Sequence, residues 1–319
     1  MKKEIQLEAP IQRYNGEVTL QFDRANWHWY RVYPDGKLER QAGVTGVVGI
    51  IDKSTYLVPW GCKMMYLELL RKIPRTDDQH VVSISWDELT QILETAKTAH
   101  KRYFETAGDV GTAAHTWIEA SIRNAMNFTG GVVEKMNEFA PTDDRAVNCG
   151  LAAFDWMKKH NVRWQTTERV VCSRQYGYAG TCDGTAIVDG CDDPKCCPLP
   201  FWDELDLIDW KSSNQLSVQY LYQTAAYQQA IQEETDEHIR ARWILRLGKE
   251  KGDFESWYER EFEQDLQGYL TCLALSRAHK AVEQRMSEQK KLKTFRRREE
   301  KKEEKARIKF AKRTEMGII

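Results

Sequence analysis

Three short stretches decide how this sequence folds: TTERVVCS at residues 166–173, GTCDGTAIV at 180–188 and LDLIDWK at 205–211. Each alternates or runs apolar over a strand's length, and each ends in turn residues, which predicts three strands at Thr166–Ser173, Gly180–Val188 and Leu205–Lys211. The short Gln175–Ala179 link between the first two reads as a hairpin. The third stretch is the informative one. Asp209 and Lys211 sit in a run whose apolar residues include Leu205, Leu207 and Ile208, where charge is costly unless it is used or paired.

Working outward, the period becomes helical on both sides. Asp143–His160 reads as an amphipathic helix with Val147, Leu151, Phe154 and Met157 on one face, and Val218–Thr235 as the helix after the third strand. Strands at Ala241–Leu247 and Phe254–Tyr258 follow, then a final helix from about Glu263. Toward the N-terminus, Tyr56–Lys72 and Ser85–Met126 are helical, with Ser85 a cap before Glu88. Residues 17–32 are aromatic and β-branched; a Tyr33-Pro34-Asp35-Gly36 turn leads from them into KLERQAGVTGVVGII, and the whole opening reads as a hairpin region. With no internal repeat and no long linker, these elements predict one α/β domain over 1–284, with a hairpin and helical portion at 1–110 and a core at 111–260. A basic helix or tail occupies 285–319.

The 319 residues are 41% apolar, enough for a sizeable core, and carry a formal net charge of -1. That near-neutrality conceals an asymmetry: residues 285–313 hold 14 Lys/Arg against 5 Asp/Glu. An acidic body with a basic tail suits a protein that meets metal cations and a polyanion. Neither a signal-peptide pattern nor a membrane-spanning run is present, which predicts a cytoplasmic protein whose eight cysteines are mostly free thiols. A GxxxxGK[ST] loop and an HExxH motif are both absent, which argues against a P-loop ATPase and a zinc peptidase.

Strand alternation puts Asp209 and Lys211 on one face, and Asp183 lies on the neighbouring strand, so two acids and a lysine are expected to converge. That is the composition of a hydrolytic Mg²⁺ site, where carboxylates supply hard oxygen ligands and a lysine orients or deprotonates the attacking water. A D-x-K pair alone is not specific. Two further pairs flank it at helical spacing: His115 with Glu119, and Gln223 with Tyr227.

Taken in order, Gly111-x-x-x-His115, Gly180-Thr-x-Asp183-Gly184, Asp209-Trp210-Lys211-Ser212 and Gln223-x-x-x-Tyr227 resemble the motifs of the PD-(D/E)XK nucleases. The branch is the RecB-like one, which includes Cas4-like, mitochondrial-genome-maintenance-type and phage exonucleases. Val44-Thr45-Gly46-Val47-Val48 to Trp60 is similar to the Ser-Val-Thr…Trp stretch of the phage and mitochondrial members. The resemblance spans roughly residues 42–250. It implies a restriction-endonuclease-like core, a mixed central sheet flanked by helices, with a helical N-terminal portion. It makes His115, Asp183, Asp209 and the main-chain carbonyl of Trp210 metal ligands, and Lys211 the catalytic lysine. Gln223 and Tyr227 then position DNA, and Glu168 and Glu119 are secondary candidates for the acidic wall.

The expected cofactor is Mg²⁺, replaceable by Mn²⁺. The early-and-late cysteine pattern of iron-sulfur members is missing. Zinc at Cys191, Cys196 and Cys197 is disfavoured, because C-x4-C-C is not a standard zinc spacing and a fourth ligand would have to come from Cys172 or Cys182; the segment reads as a surface loop. Trp27, Trp29, Tyr30 and Trp60 are candidates for stacking on unpaired bases. The expected activity is DNA exonuclease in phage recombination, repair or replication, with DNA and a single-strand annealing protein as partners. The alternatives are a module active only within a larger complex and an idle DNA-binding scaffold.

Overall fold

A four-stranded antiparallel meander opens the chain, made of β1 (Ile11–Arg13), β2 (Val18–Asp23), β3 (His28–Val32) and β4 (Leu38–Arg40). The turn at Tyr33–Gly36 joins β3 to β4, closed by Gly36 N–H on the Tyr33 carbonyl at 2.9 Å, with Gly36 at φ +78°. In this computed structural model residues 4–73, 84–128, 133, 137–191, 193, 197 and 204–315 are described. The chain divides into two units, Met1–Tyr269 and Leu270–Ile319.

The expected hairpin region ends at β5 (Ala42–Gly43), because Val44–Val48 is a helix (α1) and not a continuing strand. Val44, Val47 and Val48 fall at the i, i+3, i+4 spacing and are all buried, so helical periodicity overrides the β-propensity of valine. Helices α2 (Ser54–Lys72), α3 (Trp86–Lys97) and α4 (Ala99–Phe128) follow; the run read as one helix from Ser85 is broken at Thr98. Ser85 does cap α3: its Oγ accepts from Glu88 N–H at 3.2 Å while Glu88 accepts from Ser85 N–H at 3.0 Å.

The second sheet is mixed, in the order β10-β9-β8-β7-β5, with β6 paired to β7. Its strands are β6 (Val162–Ser173), β7 (Tyr178–Val188), β8 (Leu205–Lys211), β9 (Ile239–Leu247) and β10 (Phe254–Glu259). β8 and β9 are parallel, joined through α6 (Val218–Glu234), and β5 is parallel to β7; the other pairs are antiparallel. The protein is therefore α/β with a mixed sheet. Helix α5 (Asp144–Lys159), capped by Asp143, covers one face of the sheet. Trp156 on α5 meets Trp210 and Trp243 edge-on at 5.9 and 5.4 Å. On the other face Arg242, next to Trp243 in β9, donates to the Leu221 carbonyl of α6 at 2.9 Å.

The buried side of α5 differs from the one its apolar residues suggest. Leu151 is exposed, and Ala146, Cys149, Gly150, Ala152, Ala153, Trp156 and Met157 make the contact. Small residues are favoured there because α4 packs closely; a Cβ on Gly150 would lie 2.3 Å from the Trp117 ring. The last helix, α7 (Glu263–Glu315), includes the basic segment, whose described side chains are almost all exposed. No described helix is long and apolar enough to cross a membrane.

Below the site, Asp206 and Arg240 form a fully buried ion pair, and the Trp243 indole N–H donates to Asp206 Oδ2 at 2.9 Å. Removing Asp206 leaves the Arg240 charge buried without its carboxylate. Asp206→Ala is therefore expected to cost about 3–5 kcal/mol, read from urea unfolding. A cost below ~1 kcal/mol would show that Arg240 escapes to solvent.

Candidate active site in the fork between β7 and β8

The β7–β8 ladder runs from Ile187↔Leu205 to Gly184↔Ile208. Beyond it β7 goes on to pair with β5 at Tyr178 and Ala179, while β8 stays with β9 as far as Lys211↔Arg246, so the two strands part company. Asp183 lies where they diverge. Its Oδ2 accepts the Trp210 N–H at 2.5 Å, so a side chain replaces the next rung of the ladder and Asp183 is held across the fork.

The motif glycines explain why this sequence opens here. Gly184 has φ +157°, and a Cβ on it would lie 2.2 Å from the Thr166 carbonyl. On the same strand, a Cβ on Gly180 would meet the Tyr227 ring at 3.0 Å and Val44 at 3.1 Å. Gly111, one turn before His115, lets α4 approach the end of β8: a Cβ there would lie 2.7 Å from Ser212 Oγ. Close approach then brings His115 Nδ1 to 3.5 Å from Asp183 Oδ1.

Asp209 and Lys211 share a face, as alternation predicts, and form an ion pair. Burial disfavours the lysine's charge, but the carboxylates of Asp209 and Asp183 outweigh it and hold Lys211 above its ordinary value. It is therefore an ammonium at neutral pH. Burial pushes Asp209 up to about 6, against the pull of Lys211. Asp183 is held below the usual carboxylate range, because His115, Lys211 and the Trp210 N–H together overcome its burial. His115 moves the other way: burial depresses it, and the Asp183 charge and hydrogen bond more than offset this.

Glu168, a secondary candidate from sequence, is brought to the centre. It lies on β6 with φ +46°, a left-handed conformation rare for a residue inside a strand, flanked by the rungs Thr167↔Gly184 and Arg169↔Cys182. Ligand atoms of His115, Glu168 and Asp183 all lie within 4.8 Å of one another. Burial, then the charges of Asp183 and Glu119, push the Glu168 carboxyl up to about 7. Imidazole plus carboxylate oxygens is a donor set that fits Mg²⁺ or Mn²⁺, and the strained Glu168 backbone and close-packed acids are a cost that a bound cation offsets.

Because the folded-state pKa of Glu168 is raised, its ionisation opposes folding: stability is lost as pH climbs from about 4.5 to about 7. Glu168→Gln is accordingly expected to match the wild type at pH 4 and exceed it at pH 8 in EDTA, by up to about 3 kcal/mol. Urea unfolding at the two pH values tests this, and an equal difference at both would rule out the charge argument.

An open cleft of about 720 Å³ leads to these groups, lined by His115, Glu119, Glu168, Asp183, Trp210 and Lys211. Glu119 stands on its wall, paired with Arg123 at 2.6 Å. Trp210 contributes the N–H that grips Asp183. Gln223 and Tyr227 are not on the cleft wall. Both are buried, Gln223 Nε2 donates to Tyr227 Oη at 2.9 Å, and Thr45 also hydrogen-bonds Tyr227. They brace α1, α6 and β7 behind the site. The side chain that sequence reasoning missed is Tyr220, one turn before Gln223, which lines the cleft with its ring 5.0 Å from the Lys211 ammonium. Its signal was the i, i+3 spacing to Gln223. Of the aromatics singled out, Trp27 lines the cleft, 78% exposed; Trp29, Tyr30 and Trp60 are half-buried and do not line it. Phe104 on α4 joins Trp27 there.

The cysteine readings change. Cys182 is buried with its Sγ 3.5 Å from the Arg169 carbonyl, and Cys172 packs with Val18, Leu20 and Ala179, so neither approaches Cys191 and Cys197 as a fourth ligand. Cys197 is buried against the α5 face of the core and is no surface residue. Cys196 lies outside the described residues. Compared with known proteins, the sequence matches no family model and none of the curated proteins.

Proposed function

We propose that this chain is a divalent-metal-dependent DNA nuclease of the RecB-like PD-(D/E)XK kind, with a restriction-endonuclease-like core. One observation carries the reading: His115, Glu168, Asp183 and Lys211, from α4, β6, β7 and β8, line one open cleft at the fork, and Asp209 is buried beside them, paired with Lys211. Structural ion pairs seldom gather three carboxylates, an imidazole and an ammonium around a strained backbone position.

His115, Asp183, Glu168 and Asp209 would hold the cation. When bound, Mg²⁺ or Mn²⁺ would supply positive charge to the scissile phosphate and acidify the attacking water. The reaction adds water to phosphorus and breaks the P–O bond to the leaving nucleotide, whose oxygen takes up a proton. Lys211, held as an ammonium, acts in this scheme as a donor to the phosphate oxygens or the water and not as a base. The Trp210 N–H fixes the Asp183 carboxylate, and Tyr220 limits how far the Lys211 side chain can swing.

Trp27 and Phe104, exposed on the cleft wall, suit stacking on unpaired bases, which supports a substrate entering as a single-stranded or frayed end. The exposed basic helix adds salt-dependent attraction to phosphate. The resemblance to phage exonucleases supports a role in DNA recombination or repair, beside an annealing protein. The purified chain should degrade linear DNA with Mg²⁺ or Mn²⁺ and leave covalently closed circles intact; nicking of closed circles at the same rate would reject the end-directed reading.

A further inference from the structure

Away from the fork, on the face of the sheet covered by α5, a second group of ligand-type side chains comes together. His160 follows the last residue of α5, Cys191 stands just after β7, and Cys197 is six residues further on. We infer that His160, Cys191 and Cys197 form a Zn²⁺ site that ties these two cysteines to the C-terminal end of α5.

Three observations carry this. First, the imidazole nitrogen and the two sulfurs all lie within 4.8 Å of one another, with the sulfurs 3.4 Å apart. Tetrahedral thiolate ligation of zinc sets an edge of about 3.8 Å, so small side-chain rotations suffice. Second, His160 Nδ1 lies 2.8 Å from the Trp156 carbonyl, the kind of backbone partner that orients a ligating imidazole. The ring is fully buried, stacked on Trp156 at 4.8 Å and edge-on to Trp243 at 5.6 Å, so its orientation is set before any metal arrives. Third, the Cys191 N–H lies 3.2 Å from Cys197 Sγ, and such a donor stabilises a thiolate.

Binding releases the two thiol protons to solvent, with no change of oxidation state; water or another donor completes the tetrahedron. The spacing rule missed the site because its histidine lies 31 residues before Cys191 and on a different element. The role fits the position: Cys191 stands just after β7, the strand that bears Asp183, so a metal here would fix that end of the strand without touching the reacting groups.

The test uses the full chain carrying Asp183→Asn, so that metal at the fork does not contribute, purified from zinc-supplemented medium and analysed by elemental mass spectrometry. About one zinc per chain is expected, lost in Cys191→Ser and in Cys197→Ser. Cobalt substitution should give thiolate-to-metal charge-transfer absorption that Cys191→Ser weakens. Cys191 is only half-buried, so its variant keeps the fold, and circular dichroism confirms that in the same sample. Absence of zinc with both thiols free to react, or a mass lower by two hydrogen atoms that reports a Cys191–Cys197 disulfide, would overturn the inference.

Discussion

Asp183→Asn is expected to lower DNA cleavage by ~10³-fold or more, about 4 kcal/mol of transition-state stabilisation, while the chain stays folded. Asparagine keeps an oxygen that can accept the Trp210 N–H, so the brace across the fork survives. What is lost is the negative charge that draws His115 and Lys211 to this point and that the cation requires. Metal binding should weaken in parallel, which a calorimetric titration with Mn²⁺ would report. An asparagine variant that cleaves at wild-type rate would remove Asp183 from the mechanism.

Lys211→Ala is expected to separate binding from chemistry. The ammonium pairs with Asp209, feels the charge of Asp183, and competes with a cation for these carboxylates. Its removal should leave Mn²⁺ affinity unchanged or tighter, yet lower kcat by ~10²–10³-fold, the size seen when one charge-stabilising donor is lost. Without metal the variant should also be less stable at pH 8 than the wild type, because two buried carboxylates then lack their counter-charge. Loss of metal binding together with activity would instead mean that Lys211 only props the carboxylates in place.

Much of this arrangement was legible in the sequence because strand physics is local. The period of two around Asp209, the turn before β7 and the β8–α6–β9 order follow from pattern alone, and alternation alone puts Lys211 beside Asp209. The position of Glu168 was not legible: its left-handed backbone comes from the way β6 and β7 pair around Gly184, a long-range effect that no local spacing records. The same holds for Gln223 and Tyr227. A polar pair at helical spacing looks the same whether it faces solvent or packs against a glycine on another strand, and Gly180 and Thr45 decide the matter here. On α5 the apolar residues misled because contact with α4 selects for small side chains, so Leu151 faces out while Ala152 and Ala153 face in. In α1 the opposite error arises, since three valines read as strand but fall at helical spacing.

Hydrolysis at the fork can be measured directly. The most direct measurement is a time course of end-labelled linear DNA with the purified wild-type chain, in Mg²⁺ and in EDTA, with Asp183→Asn run beside it. The prediction is progressive shortening in Mg²⁺ alone, abolished by EDTA and by the substitution. Cleavage that persists in EDTA, or DNA that is bound by the wild type in Mg²⁺ and never cut, would contradict it.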